Sequence, residues 1–300
     1  MGTQKETIGL IGLGLVGTAL AEQLLANGYP VIGYDIVQAQ CDRFGQLGGQ
    51  AADSPRRVAE AVDYLLLSLP DTTVVCQVIE GAAGVLSGQR IPSYLIDTTT
   101  GDPTETVALA KRLSHRGSFL LEATICGSSS QLRKKEAVLM VGGERSAFDV
   151  CTGLLHALSE RTFYVGPSGS GSKVKLATNL VLGLNRLVLA EGLVFAEKLG
   201  LDQGTFLDVL RAGPGYSVAM DVKGEKMLTG DFTAESRIRQ HRKDVSLMLK
   251  YAQDCAQDLP LSRVHSDILD SAMAAGDGDL DTCAVIREIR RRTIRKDQDP

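Results

Sequence analysis

A short apolar run at residues 8–11 passes directly into Gly12-Leu13-Gly14-Leu15-Val16-Gly17 and then into a segment with helical spacing. Three glycines in this setting constrain the fold more than any other feature of the chain. The first permits a tight turn, the second lets the backbone approach a pyrophosphate, and the third lets the following helix pack closely on the strand. The unsatisfied N–H groups and positive dipole end of that helix then favour phosphate. A second apolar run, 31–34, ends in Asp35, which lies 18 residues beyond Gly17. An acid about 20 residues past the glycines is placed to accept hydrogen bonds from the ribose hydroxyls of a dinucleotide. Gly12, Leu13, Gly14, Leu15, Val16, Gly17 and Asp35 are therefore candidate cofactor-binding residues. A carboxylate at Asp35 repels a 2′-phosphate, and no arginine occurs in Ile36-Val37-Gln38, so NAD is expected and NADP is disfavoured.

Further apolar runs lie at 64–69, 94–96, 119–122, 138–141 and 162–165. Most are continuous rather than alternating, the pattern of strands buried on both faces by intervening helices. The pattern changes at Gly166-Pro167-Ser168-Gly169-Ser170-Gly171-Ser172, after which only helical spacing is evident: about 172–199, 202–213, 236–256, 262–275 and 282–293. Gly200 suits a helix C-cap and Asp202 an N-cap. The expected architecture is α/β: a Rossmann-type, mainly parallel sheet domain over 1–166, then an all-helical domain over 167–300, with the 172–199 helix joining them. The tail, 296–300, is expected to fray.

Composition narrows the function. The 300 residues carry a net charge of −4, without the basic field that a nucleic-acid groove needs. The 176–199 stretch is interrupted by Asn179, Asn185, Arg186, Glu191 and Glu197, so a buried helix is expected rather than a membrane span. The polar start, MGTQKET, lacks the apolar stretch of a signal peptide. Six cysteines, at 41, 76, 126, 151, 255 and 283, form no CxxC pair and no zinc-ligand spacing with histidine. Reduced thiols, a cytoplasmic setting and no metal are the corresponding expectations.

The segment from Gly169 to Asn179 is the second informative stretch. Gly166 to Lys173 has the look of a phosphate loop, but Ser172 separates Gly171 from the lysine, which excludes that motif. Lys175 and Asn179 are four apart and share a helix face, whereas Lys173 points elsewhere. A lysine and an asparagine among Leu176, Leu180, Val181 and Leu182 are either active-site groups or a surface-reaching lysine beside a satisfied amide.

These motifs together resemble the β-hydroxyacid dehydrogenase family, over nearly the whole chain. The 12–17 loop matches the family's cofactor loop, and Leu69-Pro70 matches the Leu-Pro ending its fourth strand. Asp97-Thr98-Thr99-Thr100-Gly101-Asp102-Pro103 resembles a cofactor segment, with Thr99 in place of serine. Gly169-x-Gly171-x-x-x-Lys175-x-x-x-Asn179 resembles the catalytic motif, with Thr178 in place of the first of paired asparagines, and Lys243-Asp244 matches a Lys-Asp near the nicotinamide. The resemblance implies an NAD(P)-dependent oxidoreductase that transfers a hydride between the cofactor and a small 3-hydroxy acid or semialdehyde. It implies Lys175 and Asn179 as catalytic and substrate-binding residues, and Leu69, Pro70, Thr100 and Lys243 as further cofactor-binding residues. It also implies a homodimer or homotetramer.

The match loosens at the substrate segment. Ala123-Thr124-Ile125-Cys126-Gly127-Ser128 stands where the family has Ala-Pro-Val-Ser-Gly-Gly, making Cys126, Gly127 and Ser128 the candidate substrate contacts. Cys126 is either a reactive thiol or, more simply, a small side chain beside the ligand. Ser128, Ser129 and Ser130, with Ser236 and Gln240 opposite, either make the pocket polar, favouring a glycerate-type acid over 3-hydroxyisobutyrate, or the serines cap the following helix and never touch the ligand. Two other functions share this scaffold: an imine or enamine reductase, in which Asp or Tyr replaces the lysine, and a non-catalytic dinucleotide-binding protein, in which the lysine is lost. Lys175 counts against both.

Overall fold

The computed structural model describes residues 5–293, so the expectations for the first four residues and for the tail at 296–300 fall outside it. The chain divides into two compact units, 1–175 and 176–300. In the first, strands and helices alternate: β1 (Ile8–Ile11), α1 (Leu15–Ala26), β2 (Val31–Tyr34), α2 (Gln38–Gln46), β3 (Gln50–Ala51), α3 (Pro55–Glu60), β4 (Tyr64–Leu67) and α4 (Thr72–Glu80). They continue with β5 (Tyr94–Asp97), α5 (Pro103–Ser114), β6 (Phe119–Cys126), α6 (Ser129–Arg133), β7 (Val138–Gly142), α7 (Arg145–Leu158) and β8 (Arg161–Gly166). The eight strands form one sheet in the order β3-β2-β1-β4-β5-β6-β7-β8, parallel throughout except for the antiparallel pair β6–β7. Successive side chains of a strand point to opposite faces. Accordingly Leu66, Ile96 and Leu121 join one buried cluster with Leu20, Leu24 and Leu155, while Leu65, Leu95 and Leu120 join another with Val58, Ile79 and Leu109. The doubly covered parallel sheet that the continuous apolar runs imply is thus present.

Local capping starts several of these helices. Asp71 accepts from the Val74 N–H, and Asp102 accepts from the Thr104 and Glu105 N–H groups, with Pro103 at the first helical position.

Two strand ends differ from the sequence expectation by more than one residue. β4 stops at Leu67 rather than at residue 69. The Ser68 N–H still bonds to the Ile11 carbonyl, but the Leu69 N–H turns to the Thr99 hydroxyl. β6 runs four residues past Glu122, because its second half pairs with β7 from Glu122↔Gly142 to Cys126↔Val138. The candidate substrate segment is therefore strand as far as Cys126. β3, two residues long, carries too little pattern to be read in sequence.

The second unit is helical. α8 (Ser170–Lys198) begins in the first unit and continues into the second, followed by α9 (Gln203–Ala212), α10 (Val218–Thr229), α11 (Ile238–Asp254), α12 (Pro260–Ala274) and α13 (Val285–Arg291). Leu187, Leu193, Leu207, Met227, Val245, Leu269 and Ile286 lie in its core. α10 was not anticipated, because its buried residues, Ala219, Met220, Lys223, Gly224 and Met227, mix apolar, small and charged types. By length and composition α8 is apolar enough to cross a membrane, contrary to the sequence reading. Its polar residues are spread over 29 positions and leave an 18-residue apolar window, half of which is buried inside the protein.

Lys223 and Asp281 form a buried ion pair at 2.9 Å. Asp281 also accepts from the backbone N–H groups of Glu235, Ser236 and Cys283. Burial alone would raise its pKa. The Lys223 ammonium and these backbone donors outweigh that and hold the carboxyl at about 2. The pair fastens α10 to the 281–284 turn, and the Glu235 and Ser236 N–H groups fasten the stretch leading into α11 to the same carboxylate.

Candidate active site

The glycine turn has the division of labour inferred from its spacing. Gly12 has φ of +93°, and a Cβ there would lie 2.2 Å from the Ser68 carbonyl oxygen. A Cβ at Gly17 would lie 1.9 Å from the Gly12 oxygen, so only glycine lets α1 start against the turn. A Cβ at Gly14 would meet nothing within 4 Å. Gly14 is exposed, caps α1 with no side-chain bond of its own, and is followed by no acid in the first turn. Open space beside a tightly held turn at a helix N-terminus fits the pyrophosphate of a dinucleotide.

Asp35 stands at the end of β2 beside this turn. Its carboxylate accepts from the Leu13 N–H at 2.7 Å and from the Val37 N–H at 2.9 Å. The Leu69 N–H donates to the Thr99 hydroxyl at 3.1 Å, and the Thr99 N–H to the Asp97 carboxylate at 2.9 Å, so the 69–70 and 97–100 segments are joined. Pro70 is exposed and Thr100 half-buried. Within the first unit the structure thus brings together the predicted cofactor residues from 12–17, 35, 69–70 and 100, leaving Lys243, which belongs to the second.

Lys175 lies in the second turn of α8 and is only 7% exposed. Its ammonium donates to the Ile125 carbonyl oxygen at 2.5 Å, immediately before Cys126. Lys173 is exposed, as its place on the helix requires. A surface-reaching lysine is therefore ruled out at 175. Asn179, one turn further on and buried, donates to the Asp244 carboxylate at 2.8 Å, and Lys243 pairs with the same carboxylate at 3.2 Å. Asn179, Lys243 and Asp244 thus form one cluster in the second unit.

The residues after Ile125 are largely committed to structure. Gly127 has φ of +147°, and Ser128 caps α6, its hydroxyl accepting from the Gln131 N–H while the Gln131 side chain accepts from the Ser128 N–H. The Ser236 hydroxyl is paired with that of Thr282 at 3.0 Å. The capping alternative is therefore the one observed for Ser128, and Ser236 has an internal partner. Cys126 is half-buried, and all six cysteines are free thiols. Burial pushes Cys151 and Cys283 up to about 12, which keeps them protonated.

The sequence reading missed Glu122. It is 2% exposed, on β6, and its carboxylate accepts from the Gly169 N–H at 2.5 Å and the Ser172 hydroxyl at 2.6 Å. The backbone donors at the start of α8 thus face a carboxylate of the chain itself. The available signal was an acid ending an otherwise apolar run. Among the described residues, no group of three or more His, Cys, Asp or Glu is placed to hold a metal ion.

Comparison with known proteins identifies the family. Residues 7–166 match the model for the NAD binding domain of 6-phosphogluconate dehydrogenase. Residues 169–289 match that for the NAD-binding domain of NADP-dependent 3-hydroxyisobutyrate dehydrogenase. The chain is 31% identical over 281 residues to 2-(hydroxymethyl)glutarate dehydrogenase of Eubacterium barkeri, covering 93% of each chain. It is 27% identical over 283 residues to glyoxylate/succinic semialdehyde reductase 1 of Arabidopsis thaliana, covering 94% of this chain and 98% of the other. The crystal structure of 3-hydroxyisobutyrate dehydrogenase from Salmonella typhimurium superposes with a TM-score of 0.86 at 26% identity, covering 94% and 99%. A glycine turn built for a nicotinamide dinucleotide, a buried lysine one turn before an asparagine, and relatives aligned over almost their full length lead to one conclusion: the chain belongs to the β-hydroxyacid dehydrogenase family of NAD(P)-dependent oxidoreductases.

Proposed function

We propose that the protein interconverts a small 3-hydroxy acid and its semialdehyde or keto form, using NAD in preference to NADP, with Lys175 as the general acid and base. The observation that carries this reading is the buried Lys175 ammonium held at the Ile125 carbonyl, next to the 126–128 segment. A positioned ammonium can give a proton to a substrate oxygen, take it back in the reverse direction, and stabilise the alkoxide as it develops. Bound nicotinamide supplies or accepts the hydride. The backbone at Gly12–Gly17 would hold the pyrophosphate and Asp35 the ribose hydroxyls. Asn179, oriented by Asp244, would hold the substrate hydroxyl or carboxylate, and Lys243 would line the nicotinamide side. Preference for NAD is supported by the Asp35 carboxylate, followed by the exposed apolar side chains of Ile36 and Val37.

Ser128 is spent as a cap and Ser236 is paired to Thr282, so neither of these two argues for a specially polar pocket, and the substrate class proposed is a small 3-hydroxy acid. Free thiols are consistent with a cytoplasmic setting. Val181, Val188 and Phe195 recur every seven residues on α8 and are exposed, which supports a homodimer or homotetramer.

The deciding experiment is a turnover screen with NAD+ and NADP+ against D- and L-glycerate, threonate, 3-hydroxyisobutyrate and sulfonate analogues. Turnover of one or more of these acids is expected. Reduction of cyclic imines without activity on any acid would replace this reading with the imine-reductase one. Cofactor binding without any turnover would replace it with a sensor.

A further inference from the structure

We propose that Glu122 is a positioning residue for Lys175, an inference that rests on the reading of Lys175 as the proton-exchanging group. Glu122 is almost fully buried, and its carboxylate takes three donors from the start of α8. These are the Gly169 N–H at 2.5 Å on one oxygen, and the Ser172 hydroxyl at 2.6 Å and Ser172 N–H at 3.3 Å on the other. A neutral Ser, Thr or Asn would satisfy helix N–H groups without burying a charge. A carboxylate holds them more firmly, because charge-assisted bonds are shorter and stronger and the positive end of the helix favours an anion.

Glycines bring the helix start directly onto the strand. A Cβ at Gly171 would lie 2.9 Å from the Glu122 Cβ, and one at Gly142 would lie 2.6 Å from the Gly171 nitrogen and 2.8 Å from a Glu122 carboxylate oxygen. Two residues along β6, the Thr124 hydroxyl donates to the Gly171 carbonyl at 3.1 Å. One residue further, the Ile125 carbonyl takes the Lys175 ammonium. A single stretch of β6 therefore fixes the base of the helix through Glu122 and the tip of the lysine through Ile125. The lysine stem between them is flexible, so the ammonium keeps its place only while the helix start keeps its own.

The test uses the full-length protein with NAD+ and whichever of D-glycerate or 3-hydroxyisobutyrate it turns over faster. Glu122→Gln keeps the size but sets an amide NH2 against N–H donors. It is expected to lower kcat about 10- to 100-fold, the scale of an ångström of misplacement, and to leave the KM for NAD+ within about threefold. In a Lys175→Ala background the same change should have no further effect on kcat, because a positioning residue has nothing left to position. Glu122→Asp, which keeps the charge, should restore part of the loss. An unchanged kcat in Glu122→Gln, or an equal loss with and without Lys175, overturns the proposal. If Glu122→Gln does not fold, Ser172→Ala takes its place in the same cycle. A loss of several-fold that vanishes in the Lys175→Ala background supports the proposal, and no loss, or an equal one in both backgrounds, overturns it. A normal kcat in Lys175→Ala alone instead removes the reading of Lys175, and the proposal with it.

Discussion

The Lys175 ammonium donates to the Ile125 carbonyl oxygen across 50 residues of sequence, tying the catalytic candidate on α8 to the strand that ends at Cys126. A carbonyl can only accept, so it orients the ammonium and leaves its protons in place. Lys175→Ala should therefore lower kcat by about 10²–10⁴-fold, the usual contribution of a positioned acid or base. Titration with NADH should show cofactor binding intact. Lys173→Ala, at an exposed position of the same helix, should leave kcat near wild type.

Asp35 has two bonds to lose. Asp35→Ala should weaken NAD and narrow its advantage over NADP, since the carboxylate that discourages a 2′-phosphate is gone and the Leu13 N–H loses its acceptor. The ratio of kcat/KM for the two cofactors measures this, and an unchanged ratio removes the role assigned to Asp35.

Gly14 and Gly17 separate binding from folding. A methyl group at Gly14 meets no protein atom, so Gly14→Ala should melt near the wild-type temperature yet raise the Kd for NADH. A methyl at Gly17 runs into the Gly12 carbonyl, so Gly17→Ala should lower both thermal stability and cofactor affinity. Calorimetric melting and fluorescence titration of the two variants read these outcomes directly.

The Lys223–Asp281 pair is buried, and removing one partner strands the other. Lys223→Met should cost about 3–5 kcal/mol in denaturant unfolding, the scale of an uncompensated buried charge. A loss near zero would show that Asp281 is held by its backbone donors alone.

His265 is buried against His241, with ring centroids 5.1 Å apart. Burial, with the Arg186 guanidinium second, pushes its pKa down from 6.5 to about 4. Between those values the unfolded chain binds a proton that the folded chain does not, so stability is full above pH 6.5 and falls as the pH drops toward 4. A depression of this size corresponds to about 3 kcal/mol. Unfolding free energies at pH 7, 5.5 and 4 should show this decline, and His265→Asn should flatten it. Asp281, held at about 2, loses its contribution only below about pH 4, so the two windows separate.

What the sequence determined by itself is the part of the protein that local rules govern. Continuous apolar runs identified seven of the eight strands, and helical spacing identified α8, α9, α11 and α12, because burial on one or both faces leaves a period in the chain. The cofactor turn was legible because its three glycines fall within six residues, and the spaces found at Gly12, Gly14 and Gly17 are the ones their tasks require. The tertiary structure decided everything that depends on partners far apart in sequence. β6 extends to Cys126 because β7 pairs with it, and Ser128 proves to be a cap because α6 starts there. Lys175 is held inside because a carbonyl 50 residues away accepts its hydrogen bond, and Asn179 is turned by an acid 65 residues away. Glu122 looked like the end of a strand and is the anchor for the start of α8. A hydrogen bond between side chains brought together by folding leaves no period in the sequence, so only the folded chain reveals it.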